Sequence, residues 1–345
     1  MPPNFAVSDA SAVLERSTTE AVATEARAGL IARPRTLSPW LFYDEIGSRL
    51  FEQITKLPEY YLTRTERSIF SAHADEIIEQ AARLNGNHLP PTLTLIELGA
   101  GTATKTGILL AAAVRRQAAV VYQPVDVSVT ALEAATRNIR ANVPGVTVRS
   151  QVADYTTQPL PENRLPDTRT LALYIGSSIG NFTPAAAAGL LRNLRAQLLP
   201  GDQLLLGTDL VPGPHKKIPT VLAAYNDAAG VTGEFNRNIL ARLNRELDAN
   251  FNPEAFAHRA IWNAAESRIE MHLVSLVSQR VRIPANSAGG TLTLNFTAGE
   301  TIHTENSYKF SLARVEELLM SAAFRVTHTW QDAHHHFAVS LATAI

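Results

Sequence analysis

No cysteine occurs anywhere in these 345 residues. Disulfides, thiolate metal sites and cysteine nucleophiles are thereby excluded. Charge of one sign is also missing: 31 Lys and Arg face 32 Asp and Glu, a formal net charge of -1. With no overall basic field to hold a polyanion, no nucleic-acid partner is expected. Long hydrophobic runs are absent as well, because the longest, "TGILLAAAVRRQAAVVY", is broken by Arg115 and Arg116 and is too short to span a bilayer. The opening "MPPNFAVSDASAVLERSTTEAV" has neither a basic n-region nor a continuous apolar h-region. A soluble, cytoplasmic protein without a membrane partner is the expectation. What the chain does have is 46% hydrophobic and 18% charged residues, enough apolar matter for two domains or one domain with insertions.

Periodicity divides the chain. From Ser11 to about Leu84 apolar residues recur at three- and four-residue spacings, interrupted at Pro58, which predicts an N-terminal helical segment. After the loop "NGNHLPP" strands and helices alternate: strand from Leu93 to Leu98, helix from Lys105 to Gln117, strand from Val120 to Val127, helix from Val129 to Asn142, strand from Val146 to Ala153. That rhythm predicts parallel βαβ units and a doubly wound α/β sheet. It resumes in "TRTLALYIGSSIGNF", "PAAAAGLLRNLRAQL" and "DQLLLGTDLV", then stops. The stretch from Pro212 to about Glu305 reads as an insertion, helical first and then alternating like an antiparallel hairpin. A helix and two strands at the end complete the sheet. The domains expected are 75–212 with 308–345, and 12–74 with 213–307.

"LIELGAGTATKT" is a strand tip followed by a nearly side-chain-free turn. In doubly wound folds such a first βα turn lets backbone approach a ligand closely. It lacks the G-x-G-x-x-G of a dinucleotide site and the G-K-[ST] of a phosphate loop. The acids are more telling: Glu97, Asp126 and Asp154 stand at three successive strand tips. A carboxylate at the second can accept both hydroxyls of a ribose, and one at the third can reach an adenine amine. This pattern resembles the class I S-adenosylmethionine-dependent methyltransferases, whose cofactor carries a ribose and an adenine but no phosphate.

A sharper resemblance runs from about Pro39 to the C-terminus. "FYDEIGSRLFEQITKLPEYYLTRTE", "IELGAGTATKT", "PVDVS", "IGSSIGNF", "AAYNDAAGVTGEFNRNIL", "RIEMHL" and "TENSYKF" resemble the L-histidine Nα-methyltransferases of ergothioneine biosynthesis. The resemblance implies a Rossmann-like class I methyltransferase domain with a second, α+β substrate-binding domain made from the N-terminal helices and the insertion. It implies S-adenosylmethionine as cofactor, contacted by Glu97, Gly99, Lys105, Asp126, Asp154, Tyr155 and Gly176. On the substrate side it implies that Asn181 and Tyr225 hold the amino-acid head group of L-histidine. Tyr60, Glu305 and Ser307 would face the imidazole, with Tyr43 and Met271 lining the site. Asn181 and Tyr60 are the residues expected nearest the chemistry. Tyr61 competes with Tyr60 for its role.

The residues carry part of this without the family. An asparagine offers both a donor and an acceptor to a zwitterion. Glu305 and Ser307, two apart on a strand, share one face and can engage one ring. The product implied is trimethylhistidine, hercynine. Two other readings stay open: a methyltransferase for another amino acid such as a tryptophan derivative, and a non-catalytic S-adenosylmethionine-binding module. Glu305 and Met271 argue against the first, since a bulky apolar ring would leave the acid unpaired. "DAHHHF" places His334, His335 and His336 on alternating strand faces with no third ligand, so no metal is expected. Lys216 and Lys217 read as a solvated helix start, and the protein as a monomer.

Overall fold

The computed structural model describes residues 7–83, 92–117, 119–156, 158–160, 168–286 and 288–345. Helix α1 (Val7–Ile31), strand β1 (Arg35–Thr36), α2 (Glu45–Ile54) and α3 (Tyr61–Ala82) come first. Next are β2 (Thr92–Leu98), α4 (Thr106–Gln117), β3 (Val120–Asp126), α5 (Val129–Asn142), β4 (Val146–Val148), β5 (Gln151–Val152), β6 (Thr168–Tyr174), α6 (Pro184–Ala196) and β7 (Gln203–Asp209). Then follow α7 (Ile218–Ala223), α8 (Val231–Leu247), β8 (Phe256–Asn263), β9 (Arg268–Ser275), β10 (Gln279–Ile283), β11 (Leu292–Phe296), β12 (Thr301–Tyr308), α9 (Leu312–Ser321), β13 (Phe324–Gln331) and β14 (Phe337–Ala344). Among the described residues no helix is long and apolar enough to cross a membrane.

Contacts divide the chain into two units. The larger is Tyr60–Val221, Ala264–Arg268 and Ser307–Ile345; the smaller is Met1–Glu59, Leu222–Asn263 and Ile269–Asn306. The sequence rhythm places boundaries at 75, 213 and 308. Helix α3 lies in the larger unit because it packs along α4 and against β14.

The larger unit is built on the sheet order β13-β14-β7-β6-β2-β3-β4, with β5 also paired to β3. Strands β2, β3, β4, β6 and β7 run parallel, and β14 lies antiparallel between β7 and β13. This is a doubly wound α/β sheet. Alternation sends Ile96, Leu98, Ala172, Tyr174, Leu204 and Leu206 into one core with Leu190, Leu191 and Leu194 of α6 and Leu319 of α9. The strand order reverses between β2 and β6, and their carboxyl ends open onto the crevice where such sheets take ligands. Ser128 and Thr183 cap α5 and α6 by accepting from Ala131 and Ala186 backbone N–H groups, and Pro184 starts α6 where no N–H is needed.

The strand expected from Val146 to Ala153 is two short pieces. Val146–Val148 pairs with the start of β3 and Gln151–Val152 with its end, and Arg149 N–H reaches Tyr122 O at 2.8 Å between them.

The smaller unit holds the four-stranded sheet β1-β12-β9-β8 and the hairpin β10-β11. The expected hairpin is present in β10 and β11, with Gln279 opposite Phe296. The longer strands β9 and β12 belong to the separate sheet. Strand β8, in "FAHRAIWN", lacks clean alternation and was not anticipated. Phe42 and Phe235 stack at 4.5 Å, and Asp44 caps α2 by accepting from Gly47 N–H at 2.7 Å.

Candidate active site

Two turns flank the point where the strand order reverses. After β2, Gly99 (φ 67°) and Gly101 (φ 52°) take left-handed conformations that glycine adopts without a Cβ clash. A Cβ at Gly101 would meet nothing within 4 Å, so this side of the turn is open space. A Cβ at Gly99 would come within 3.4 Å of the Tyr155 hydroxyl, which places Tyr155 over the turn. After β6, Gly176 (φ 80°) makes the second turn.

Asp126 at the tip of β3 accepts from Gly101 N–H at 3.1 Å and Ser128 N–H at 2.9 Å. Burial pushes its carboxyl above the usual range, and these backbone donors pull the other way. Asp154 accepts from Thr156 N–H at 2.9 Å. Burial raises the Tyr155 hydroxyl to about 12, so it stays protonated, its ring edge-on to Tyr174 at 5.8 Å.

Glu97 lies beneath the turn, 2% exposed. Its carboxylate accepts from the Thr106 hydroxyl at 2.8 and 2.9 Å and from the Tyr122 hydroxyl. Burial is the main reason its pKa rises to about 7, with those two hydroxyls opposing. The sequence supplies the acid, and the structure shows it bracing β2, β3 and α4.

Glu66 on α3 was not singled out in the sequence. It is fully buried, accepts from Gly176 N–H at 2.8 Å through Oε1 and pairs through Oε2 with the Lys105 ammonium. One carboxylate thus fixes both a cofactor-assigned lysine and the second glycine turn. A Cβ at Gly207 would fall 2.2 Å from Glu66 Oε1, so a side chain at that β7 position would push the acid from its place.

A second buried cluster closes around Asp209 at the tip of β7. Its oxygens accept from the Tyr61 hydroxyl at 2.8 and 3.0 Å and lie 2.7 Å from Lys216 Nζ and 2.8 Å from Lys309 Nζ. Burial opposes the Asp209 charge, but the two ammonium groups outweigh it and hold the carboxyl low. Burial likewise lowers Lys216, against the pull of Asp209. Lys216 is 2% exposed, which corrects the reading of a solvated helix start. Lys309 also donates to the Ser307 hydroxyl oxygen at 2.8 Å. Tyr61 is committed to this interior network, whereas Tyr60, 8% exposed, precedes α3 as its N-cap residue. Asn181 ends a 3-10 turn, Ser178–Asn181, and is half-buried.

In the smaller unit Tyr43 packs edge-on to Phe51 at 5.6 Å and Phe235 at 5.8 Å. Tyr225 is buried, and its carbonyl bonds His258 Nε2 at 2.8 Å. Met271 (2% exposed) is on β9 and Glu305 (9%) on β12, the strand through which the chain passes to Ser307. His334 to His336 form the turn between β13 and β14, shaped by Asp332, which accepts the backbone N–H groups of His334, His336 and Phe337 at 2.7 to 2.9 Å.

Known proteins resemble this chain over most of its length. A family described as histidine-specific methyltransferases, SAM-dependent, matches residues 22–344. The chain belongs to that family. It is 43% identical to a histidine N-alpha-methyltransferase of Mycolicibacterium smegmatis over 94% of this chain and 96% of that protein. With the protein of the same name from Mycobacterium tuberculosis it shares 42% identity, covering 91% and 92%. It is 29% identical to ergothioneine biosynthesis protein 1 of Schizosaccharomyces pombe, covering 85% of this chain and 37% of that one.

The cofactor in the family's description, S-adenosylmethionine, suits the residues present. The turn after β2 offers open backbone at Gly101, and carboxylates rather than a phosphate loop stand beside it. Acceptors of that kind match hydroxyls and amines, not a pyrophosphate.

Proposed function

We propose that this chain transfers methyl groups from S-adenosylmethionine to the α-amine of L-histidine, in three rounds, giving hercynine. Membership of a histidine-specific family over residues 22–344 supports the substrate. The structural observation that carries it is the environment of Ser307. Lys309 donates to its oxygen, and Glu305 stands two residues earlier on β12, so the strand carries a hydroxyl and a carboxylate at alternate positions. An imidazole presents one N–H and one lone pair, the complement of that acceptor and donor. Indole presents a single N–H and no ring lone pair, so it would leave the serine unanswered.

We assign the larger unit to the cofactor and most of the smaller to the substrate. Gly99, Asp126, Asp154, Tyr155 and Gly176 would hold S-adenosylmethionine, with Lys105 fixed at its methionine end by Glu66 and Glu97 bracing the turn from below. Tyr43, Tyr60, Asn181, Tyr225, Met271, Glu305 and Ser307 are the substrate residues. The bound sulfonium supplies an electrophilic methyl group that needs no further activation.

The protein's task is positioning, which at near-attack geometry contributes roughly 7–11 kcal/mol. The amine must lose a proton first, and desolvation beside a cation favours its neutral form without a strong base. Glu305 on this reading recognises the ring and is not the base. Asn181 can keep its bond to the carboxylate while the amine changes from primary to tertiary.

Competition decides between histidine and a tryptophan derivative. With both present, methyl transfer to histidine alone supports the proposal. Preferential transfer to the indole amino acid, or cofactor binding with no transfer to any amine, overturns it.

A further inference from the structure

Glu270, His272 and His303 bring three metal-ligating atoms within 4.8 Å of one another in the smaller unit. Glu270 and His272 stand side by side on one face of β9, with Met271 turned to the other. His303 comes from β12, the neighbouring strand. No sequence motif announces the group, because its members are brought together only by strand pairing.

The geometry is that of donors held ready. Glu270 Oε2 lies 3.3 Å from His272 Nε2. Two ligands each about 2.0–2.1 Å from a tetrahedral ion stand roughly 3.3 Å apart. Asn263 Nδ2 donates to the other oxygen, Oε1, at 2.8 Å and so aims Oε2 at the histidine. The imidazoles of His272 and His303 stack with centroids 4.8 Å apart and planes 24° from parallel. His303 Nε2 is 3.0 Å from the Glu305 carbonyl oxygen. A carbonyl only accepts, so that nitrogen carries a ring proton.

A second nitrogen bonded to a backbone carbonyl is the support that metal-ligating histidines use.

We propose that Glu270, His272 and His303 form a site for a divalent transition-metal ion of the zinc class, with a further position open to water. Two imidazoles and one carboxylate favour Zn(II) or Co(II) over Mg(II) or Ca(II), which need more oxygen ligands. A bound ion ties β9 to β12, the strand that carries Glu305.

The test is titration of metal-free full-length protein with Co(II), followed by its visible d–d absorption, and with Zn(II) by calorimetry. One ion per chain is expected, with imidazole-type Co(II) bands. Affinity should fall at least about tenfold in His303→Ala and in Glu270→Gln, the latter isosteric and able to carry the test if a histidine variant misfolds. The exposed turn variant His334→Ala should leave binding unchanged. Absent d–d bands, binding that persists at full affinity in Glu270→Gln, or binding lost with His334→Ala would each overturn the site. None of these readouts depends on methyl transfer, so failure here leaves the proposed reaction standing.

Discussion

Lys309 donates to the Ser307 hydroxyl oxygen at 2.8 Å and, fully buried, lies 2.8 Å from the Asp209 carboxylate. The lysine therefore fixes one partner of the serine oxygen and ties it to the Asp209 cluster. If Ser307 donates to the imidazole, Lys309 is a positioning residue acting through it. Ser307→Ala and Lys309→Met should each raise the KM for histidine about tenfold, the worth of one buried hydrogen bond to a charged or polar partner. The double variant should be no worse than the poorer single, because both changes remove one interaction. Losses that add in full would show that Lys309 serves only the stability of the Asp209 cluster.

Glu66 should matter to the cofactor and not to histidine. Glu66→Gln keeps an acceptor for Gly176 N–H but sets an amide NH2 against the Lys105 ammonium. The dissociation constant for S-adenosylmethionine is expected to rise about tenfold or more. The KM for histidine at saturating cofactor should change by less than about twofold, well inside the effect of one lost bond. Gly207→Ala should mimic it, since the new methyl would occupy the space of Glu66 Oε1. Unchanged cofactor affinity in both variants would remove Glu66 from this role.

Much of this architecture is legible in sequence, and what is not has a physical reason. Strands buried on both faces read as near-continuous apolar runs, so β2, β3, β6 and β7 are visible in "LTLIEL", "VVYQPV", "LALY" and "QLLLG". Strand β8 hides because its half-exposed residues show no clean period, and β1 because a two-residue strand exists only through its pairing with β12. In the site, the turn at Gly99 to Gly101 and the acid Asp126 are local signals. Glu66 and Lys309 look like surface charges on their own elements. Their burial arises from partners at Gly176 and Asp209 that are distant in the chain.

Glu97 gives the larger unit a pH signature. Its folded pKa of about 7 lies above the ordinary glutamate range, chiefly through burial, so folding favours the protonated acid. Its contribution is then fullest below the unfolded pKa and is lost as pH rises through about 7. Wild-type thermal stability should decline from about pH 5 to about pH 8 more steeply than that of Glu97→Gln, which cannot ionise. Parallel curves would mean that Glu97 does not titrate in that window.

The most direct test of the central claim is mass spectrometry of histidine incubated with the protein and S-adenosylmethionine, with Glu305→Ala alongside. The account predicts a gain of three methyl groups on the α-nitrogen, largely lost in the variant while cofactor binding persists. No methylated histidine with the wild-type protein, or full trimethylation by Glu305→Ala, would contradict it.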